Sequence, residues 1–481
     1  LATIGDGSLV ANGPVAVVGG FSGDETDAGS ASGDASVTIL DGEQSLSTVT
    51  AISNGATLNT LTVTGGAGDA KGAGVYVVEG DVSILNCVVH SNSGAFGGGI
   101  SHPVAGGAAS ANLVLHGSVV RDNQASKNGG GLHWQGSGAL TVTDTVFEDN
   151  VAAELGGGLA LHNAAGGTLT GATIVGNAAH SGGGLQIQNA TGAWAFVNSR
   201  LVGNKAVGLG GGAYLTNDAN FTGTEHSFTS CLFVGNTANE GGGVEIWDSN
   251  LAVQMVNCTL AHNAAARGGA VEWRYGKGNG VYNTIMSGNR GSLSNDNARV
   301  IDGASVEVGY SLLQDGWSDG WLGAEFEGPN GQGSVESEAS YVNMPKWAAR
   351  LSKEGTTDTF VIANSGPYEE GDLLEVDMDG VTRTVTYSAE GTITFSPALA
   401  TKIPIGTLVW NWGSNPDFTW DASLSFFSPA IDAADGDLAP PEDLDGEPRI
   451  DVDGIENVGT GTPNYTDMGA LEFHGLVLIP N

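Results

Sequence analysis

The sequence predicts an all-β protein: a right-handed parallel β-helix (solenoid) with a small inserted β module near the C-terminus. Three observations predict it. An asparagine recurs with a period near 27 residues, a glycine run follows most of these asparagines, and apolar side chains alternate with a period of two beside both. No segment has the long 3.6-residue apolar periodicity of a helix.

The recurring asparagines define the coil, with successive spacings of 31, 27, 27, 27, 32, 27 and 26 residues. We predict that they form a structural ladder, in which side-chain amides bond along the stack at a turn where asparagine tolerates the left-handed conformation. The ladder residues are Asn92, Asn123, Asn150, Asn177, Asn204, Asn236, Asn263 and Asn289. The glycine runs predict a tight corner at positive φ. They begin at Gly97, Gly129, Gly156, Gly182, Gly210, Gly241 and Gly268.

Two strands of each coil can be oriented from the repeat. The residue three positions before each asparagine is always apolar, as at Phe147, and predicts an inward side chain. A second strand follows each glycine run, as at Leu159 and Leu161. All three cysteines fall in a slot that holds small residues elsewhere, which favours buried free thiols over a disulfide.

The repeat ends before the C-terminal third of the chain, which predicts three parts. Residues 1–345 form the β-helix coils, and residues 346–414 form an inserted small β-barrel or β-sandwich module. Residues 415–481 form a closing, anchor-like segment of the β-helix.

Composition restricts the classes of partner. The formal net charge is −37, which disfavours binding to nucleic acid or to anionic lipid. The longest apolar stretches are shorter than the roughly 20 residues that cross a bilayer, so we expect no direct membrane span. Cations, metals and neutral glycans remain as plausible partners.

Several motifs resemble those of bacterial secreted right-handed β-helix proteins. Residues 18–25 (VGGFSGDE) are similar to the opening of these proteins, and the middle coils are similar to the repeats of polymorphic outer-membrane proteins and their adhesin relatives. Residues 428–433 (SPAIDA), 445–449 (DGEPR) and 467–472 (DMGALE) resemble their closing module, sometimes called a choice-of-anchor domain. The resemblance implies an exported, extracellular or cell-surface protein whose signal peptide is absent from this chain.

The outward positions of the strand after each glycine run form the first candidate site. Neighbouring coils would bring two carboxylates together there, as a glycoside hydrolase requires, although side chains in one column point the same way and do not flank a bond. The weak catalytic candidates are Glu245 and Glu272, and the glycan-binding candidates are Tyr214, Trp247, Arg274 and His162. The alternative interpretation is a solvated face with mixed polar residues.

An acidic, glycine-containing stretch near the C-terminus is the second candidate site. Alternate aspartates supply the hard oxygen ligands that Ca²⁺ prefers, but their spacing is not that of an EF-hand. The candidate ligands are Asp435, Asp437, Asp443, Asp445, Asp451 and Asp453. Asx turns and an ion pair with Arg449 would use the same residues and stay open as the alternative.

Together these observations favour a non-catalytic structural or adhesive β-helix protein outside the cell. Open ends of the stack would permit self-association into a filament or sheath, and cell-surface glycans or proteins are the other expected partners. The alternative is a polysaccharide-active enzyme, a hydrolase or a lyase, or a glycan-binding protein that uses the outward face. No catalytic constellation beyond the two glutamates is evident, and possible Ca²⁺ is the only cofactor predicted.

Overall fold

A computed structural model of the chain describes most of its residues. The described residues are 2–5, 8–21, 32–44, 49–68, 72–102, 110–217, 224–248, 250–291, 297–314, 321–322, 334, 341–343, 347–351, 353–361, 368–376, 381–389, 391–404, 407–415, 421–424, 428–452, 455 and 457–473. They contain one short 3₁₀ turn, Ala35–Val37, and otherwise strands and turns. None of them forms a helix long and apolar enough to cross a membrane.

The strands stack in parallel, coil upon coil, so the predicted all-β solenoid is confirmed. Most regular coils contribute one strand to each of four sheets, which we number in the order in which the chain reaches them after a glycine run. Sheet 1 contains Val49–Ser53, Val75–Leu85, Ile100–His102, Leu132–Gln135, Leu159–His162, Leu185–Gln188, Ala213–Thr216, Val244–Trp247, Val271–Arg274, Ala298–Ile301 and Trp321–Leu322. The hairpin of Ala2–Gly5 and Ser8–Asn12 pairs with its first strand.

Sheets 2 and 3 complete the main wall of each coil. Sheet 2 contains Ala16–Val18, Thr57–Asn59, the second half of Val75–Leu85, Ala111–His116, Leu140–Thr143, Gly167–Thr170, Trp194–Val197, Thr224–Thr229, Leu251–Val256, Asn279–Tyr282 and Val306–Gly309. Sheet 3 contains Ile39–Asp41, Thr62–Thr64, Val88–His90, Val119–Arg121, Val146–Glu148, Thr173–Val175, Arg200–Val202, Leu232–Val234, Thr259–Ala261, Ile285–Ser287 and Leu312–Leu313.

Sheet 4 follows the asparagine ladder and consists of short strands. Its strands are Ala67–Gly68, Ser93–Phe96, Gln124–Asn128, Val151–Ala152, Ala178–Ala179 and Lys205–Ala206, with Ala264–Ala265 and Arg290–Gly291 as a separate pair. Parallel bridges at Thr237 connect the two groups.

A single apolar core runs along the inside of the stack. The predicted inward residues are fully buried in register, so that Phe147 lies between Val120 and Ile174 on adjacent coils. Large side chains such as Trp134 and Trp194 fill the same core from sheets 1 and 2. The cysteines are free and buried. The period-two pattern therefore identified the inner wall correctly.

The asparagines form a hydrogen-bonded ladder, although not at left-handed residues. In every step the backbone N–H and the Nδ2 of one asparagine donate to Oδ1 of the next, at 2.9–3.1 Å. The residue with positive φ is the one before the asparagine, for example Asp122 at 54° and Asp149 at 51°. The prediction that the asparagines themselves adopt the left-handed conformation is therefore wrong. The chain turns one residue earlier, which leaves the side-chain amide of the asparagine in the buried stack.

The C-terminal third contains an antiparallel sheet and a segment that returns to the β-helix. The sheet has six strands in the order Trp347–Arg350, Leu408–Gly413, Leu373–Val376, Arg383–Ala389, Thr392–Ser396 and Thr359–Val361, around a core of its own. A further antiparallel pair joins Tyr341–Asn343 to Asp421–Leu424.

The described residues between 428 and 473, which we call the closing segment, lie along the outer side of sheet 3 rather than extending the stack. Apolar side chains of this segment, including Leu444 and Leu471, pack against outward residues such as Leu232 of sheet 3. The backbone of the segment approaches so closely that a Cβ at Gly469 would lie 2.7 Å from Cδ1 of Ile285. Outward apolar residues of sheet 3 are thereby removed from solvent.

Candidate functional site

The strand register places the predicted site residues on adjacent coils of sheet 1. Glu245 pairs with Tyr214 on one side and with Glu272 on the other, and Glu272 pairs with Arg299 on the next coil. Trp247 pairs with Arg274 in the neighbouring outward column. The two columns that the sequence predicted are thus adjacent.

The glutamates and most of their column are buried, which corrects the interpretation of a solvated face there, and Tyr214 in the same column is half-buried. Glu245 and Glu272 have no exposed surface, and His133 earlier in the column is 1% exposed. The cause is the segment before each glycine run, which folds back over the outer surface of sheet 1. The ring of Phe96, in one such segment, lies 5.1 Å from that of His133.

The glycine that begins each run permits this reversal. Gly241 has a φ of 61°, and a Cβ at that position would lie 2.8 Å from both Cα and Cβ of Glu245. The corner therefore brings Glu240, the residue before it, against the buried pair. One carboxylate oxygen from each of Glu240, Glu245 and Glu272 lies within 4.8 Å of the others.

Three arginines surround these carboxylates. Nη2 of Arg274 donates to Oε1 of Glu272 at 2.7 Å and to Oε2 of Glu240 at 3.1 Å. Nη1 of Arg299 donates to the same Oε1 of Glu272 at 2.9 Å, and Nη1 of Arg267 donates to Oε1 of Glu240 at 2.9 Å. We call Glu240, Glu245, Glu272 and these three arginines the glutamate cluster.

Glu245 differs from the other two acids. Neither of its oxygens has a hydrogen-bond partner among the described residues, and Oε2 of Glu272 also has none. Burial, and after it the nearby Glu272 carboxylate, raise the pKa of Glu245 well above its ordinary range. Burial also raises the pKa of Glu272, although its hydrogen bond to Arg274 and the charge of Arg299 act in the opposite direction.

This geometry does not match glycoside hydrolysis. The reaction needs two carboxyl groups on opposite sides of an accessible glycosidic bond. Glu245 and Glu272 lie side by side in one column, have no exposed surface, and are covered by Glu240 and Arg274. A sugar chain cannot reach them without displacement of the covering segment.

The predicted glycan-binding residues lie in the two outward columns of sheet 1 and differ in their exposure. Trp247 and Tyr214 are half-buried, and the guanidinium of Arg274 lies 4.2 Å from the centroid of a Trp247 ring, so one face of the indole already has a cation partner. His162 is 9% exposed and its Nε2 bonds to Oε1 of Gln186. His162 therefore presents little exposed surface to a ligand.

The aspartates predicted to bind Ca²⁺ have other contacts within the described residues. Oδ1 of Asp435 accepts from the N–H of Asp437, and Oδ1 of Asp437 accepts from the N–H of Thr462. Asp445 forms an ion pair with Arg200 of sheet 3.

Asp443 is buried, and its oxygens accept from the backbone N–H groups of Asp445, Glu447 and Glu472. Asp451 is exposed, and Asp453 lies outside the described residues. No three described acids of this stretch converge as a metal-ligand group. Calcium binding there stays a prediction, and the observed contacts are those of the Asx-turn alternative.

Sequence reasoning missed several charged residues near both candidate sites. Arg299 follows Glu272 by 27 residues, so extension of the column by one more coil would have found it. Glu240 carried no such signal, because its position beside Glu245 and Glu272 depends on the reversal at the glycine corner.

In the closing segment Arg449 pairs with Glu472 at 2.5 Å, rather than with an aspartate of the acidic stretch. Burial raises the pKa of nearby Asp432 to about 6.

Comparison with known proteins supports the fold and indicates no reaction and no ligand. A family model described as "Right handed beta helix region" matches residues 37–201. This match and the parallel coils together support a right-handed β-helix. No curated protein and no solved structure gives a significant match.

Proposed function

We propose that the protein is a non-catalytic structural or adhesive element that acts outside the cell or at its surface. One observation carries the proposal: the catalytic candidates Glu245 and Glu272 are fully buried, and Glu240, which precedes the glycine run at Gly241, lies against them. Polar side chains of the coils also hold the stack together, as in the asparagine ladder. The resemblance to secreted β-helix proteins supports an exported location.

The regular stack suits a rigid spacer. Sheet 3 has eleven strands, which at roughly 4.8 Å per step corresponds to a rod about 50 Å long. Its ladder bonds continue over every regular coil. A rod of this kind can present partners at a distance from a surface, and it can extend by end-to-end contact where strand edges remain unpaired.

The first strand of sheet 3 is the edge on which self-association can be tested. Ile39–Asp41 pairs with Thr62–Thr64 on one side, and the Ile39 side chain is 57% exposed. We expect the concentrated protein to form oligomers or filaments through such ends. Ile39→Lys should weaken assembly, because a charge on an edge strand opposes pairing with another chain. Val207→Lys is the matched control, since Val207 is 66% exposed on the side of the stack.

Sedimentation velocity and electron microscopy provide the measurement. Assembly that Ile39→Lys reduces and Val207→Lys leaves intact supports end-to-end association. Only monomers at all concentrations would refute the self-association part of the proposal, and equal loss in both variants would refute the assigned edge.

Adhesion and catalysis are separated by a glycan array followed by a product assay. We expect binding without turnover, with Trp247→Ala weakening any glycan binding and Tyr387→Ala, at an exposed aromatic of the antiparallel sheet, serving as the control. Turnover that Glu272→Gln abolishes would refute the non-catalytic assignment and support the polysaccharide-active alternative.

A further inference from the structure

The glutamate cluster contains buried acceptor atoms without a partner. Both oxygens of Glu245 and Oε2 of Glu272 lack a hydrogen bond among the described residues, and both side chains are fully buried. An unpaired carboxylate in such an environment is costly, and proteins remove the cost with a proton, a donor or a cation.

The carboxylate oxygens of the three acids are spaced like the ligand oxygens of a metal ion. One oxygen from each of Glu240, Glu245 and Glu272 lies within 4.8 Å of the others. Oxygens on opposite sides of a Ca²⁺ ion, each about 2.3–2.6 Å away, are roughly 4.6–5.2 Å apart, and those around Mg²⁺ are closer. The three oxygens can therefore contact one ion without a large movement.

The arginines hold two of the acids in place and leave the third free. Arg267 and Arg274 fix Glu240 over the buried pair, and Arg274 and Arg299 both bond to Oε1 of Glu272. None of these contacts uses Glu245. Part of the positive charge of Arg274 faces Asp302, whose Oδ2 lies 3.6 Å from its Nε.

We propose that Glu240, Glu245 and Glu272 form a binding site for one divalent cation with a preference for oxygen ligands. Glu245 and the free Oε2 of Glu272 supply the buried ligands, and Glu240 closes the site from the solvent side. The competing state is a proton held between Glu245 and Glu272, with the arginines neutralising the remaining charge. The site lies on sheet 1, far along the chain from the acidic stretch first predicted to bind Ca²⁺.

Isothermal titration of EDTA-treated protein with Ca²⁺, Mg²⁺ or Mn²⁺ tests the proposal. We expect one ion per chain, and any proton held by the carboxylates is released when the ion enters, because the ligands of a metal must be deprotonated. Titrations in two buffers of different ionisation enthalpy measure that proton. Binding should weaken as the pH is lowered, since protons compete for the same oxygens.

Two variants and one control make the assignment specific. Glu245→Gln should remove binding or weaken it by at least about tenfold. Glu240→Gln should have the same direction of effect, and it provides a second measurement if the buried substitution prevents folding. Asp144→Asn, at an exposed carboxylate of another coil, should bind as the original protein does.

The possible results separate cleanly. One saturable ion that both glutamate variants lose supports the site. Absence of saturable binding in the original protein overturns the proposal in favour of the shared proton. Binding that is unchanged in both glutamate variants also overturns it, and would direct attention to the aspartates near the C-terminus.

Discussion

Asparagine Asn177 in the middle of the ladder offers the most direct test of what holds the coils together. Its Oδ1 accepts from the backbone N–H and Nδ2 of Asn150, at 2.9 and 3.0 Å. Its Nδ2 donates to the carbonyls of Phe147 and Val175 and to Oδ1 of Asn204, at 2.9–3.0 Å. Asn177→Ala removes all of these contacts at a fully buried position.

The expected loss of stability follows from the groups that lose their partners. The buried N–H of Asn150 is left without an acceptor, which costs about 1–3 kcal/mol, and each weakened carbonyl contact costs about 0.5–1.5 kcal/mol. We therefore expect Asn177→Ala to lower the free energy of unfolding by about 2–6 kcal/mol.

The matched control is Asn112→Ala, on an exposed position of sheet 2. Nδ2 of Asn112 donates to Asp81 at 2.7 Å, and its Oδ1 accepts from the N–H of Ala139 at 2.8 Å. Because water can replace these partners, we expect a loss below about 1 kcal/mol.

Urea denaturation measures the global effect. Hydrogen exchange of the Asn150 amide measures the local one, which is needed because repeat stacks do not always unfold in a single step. A loss for Asn177→Ala as small as that for Asn112→Ala would refute the reasoning. So would unchanged protection of the Asn150 amide.

Three further predictions concern the glycine corner, a buried histidine and a buried thiol. Gly158→Ala should cost at least about 2 kcal/mol in urea denaturation, because its Cβ would lie 2.7 Å from the carbonyl oxygen of Gly184. Burial, together with nearby histidines, lowers the pKa of His133 to about 3, so the unfolded chain binds the proton first and stability falls as the pH drops from about 6.5 towards 3. We would measure the free energy of unfolding by urea denaturation at a series of pH values. His133→Gln should reduce this fall, and His116→Gln, at an exposed histidine, should not. Burial also raises the pKa of the Cys258 thiol, so alkylation at pH 8 should be at least about 100-fold slower in the folded protein than in urea, and equal rates would contradict the buried position.

The inner wall could be predicted from the sequence because it depends on local periodicity repeated in one register. A side chain such as Phe147 is inward for the same reason as Val120 one coil earlier, and each coil repeats the constraint. The ladder was predictable on the same ground. Its turn geometry was not, since a left-handed residue can precede or coincide with the asparagine, and the sequence at Asp122 does not distinguish the two.

The outer surface of sheet 1 could not be predicted in the same way. Alternation assigns Glu245 to the outside of the coil, which is correct, but it contains no information on what else covers that surface. The cover comes from a reversal at Gly241, which brings Glu240 across the strand. Closing-segment residues such as Leu444 cover sheet 3 in a comparable, non-repeating way.

The asparagine and glycine motifs are two halves of one packing arrangement. The third glycine of a run lies against both motifs of the following coil: a Cβ at Gly158 would lie 2.7 Å from the carbonyl oxygen of Gly184 and 3.2 Å from Cγ of Asn177. The repeat is thus specified by the contact between coils, and ligand recognition is not needed to explain it. Packing between coils does not explain the charged residues buried on the outer surface of sheet 1. The carboxylate of Glu245, which has no hydrogen-bond partner among the described residues, is the clearest example.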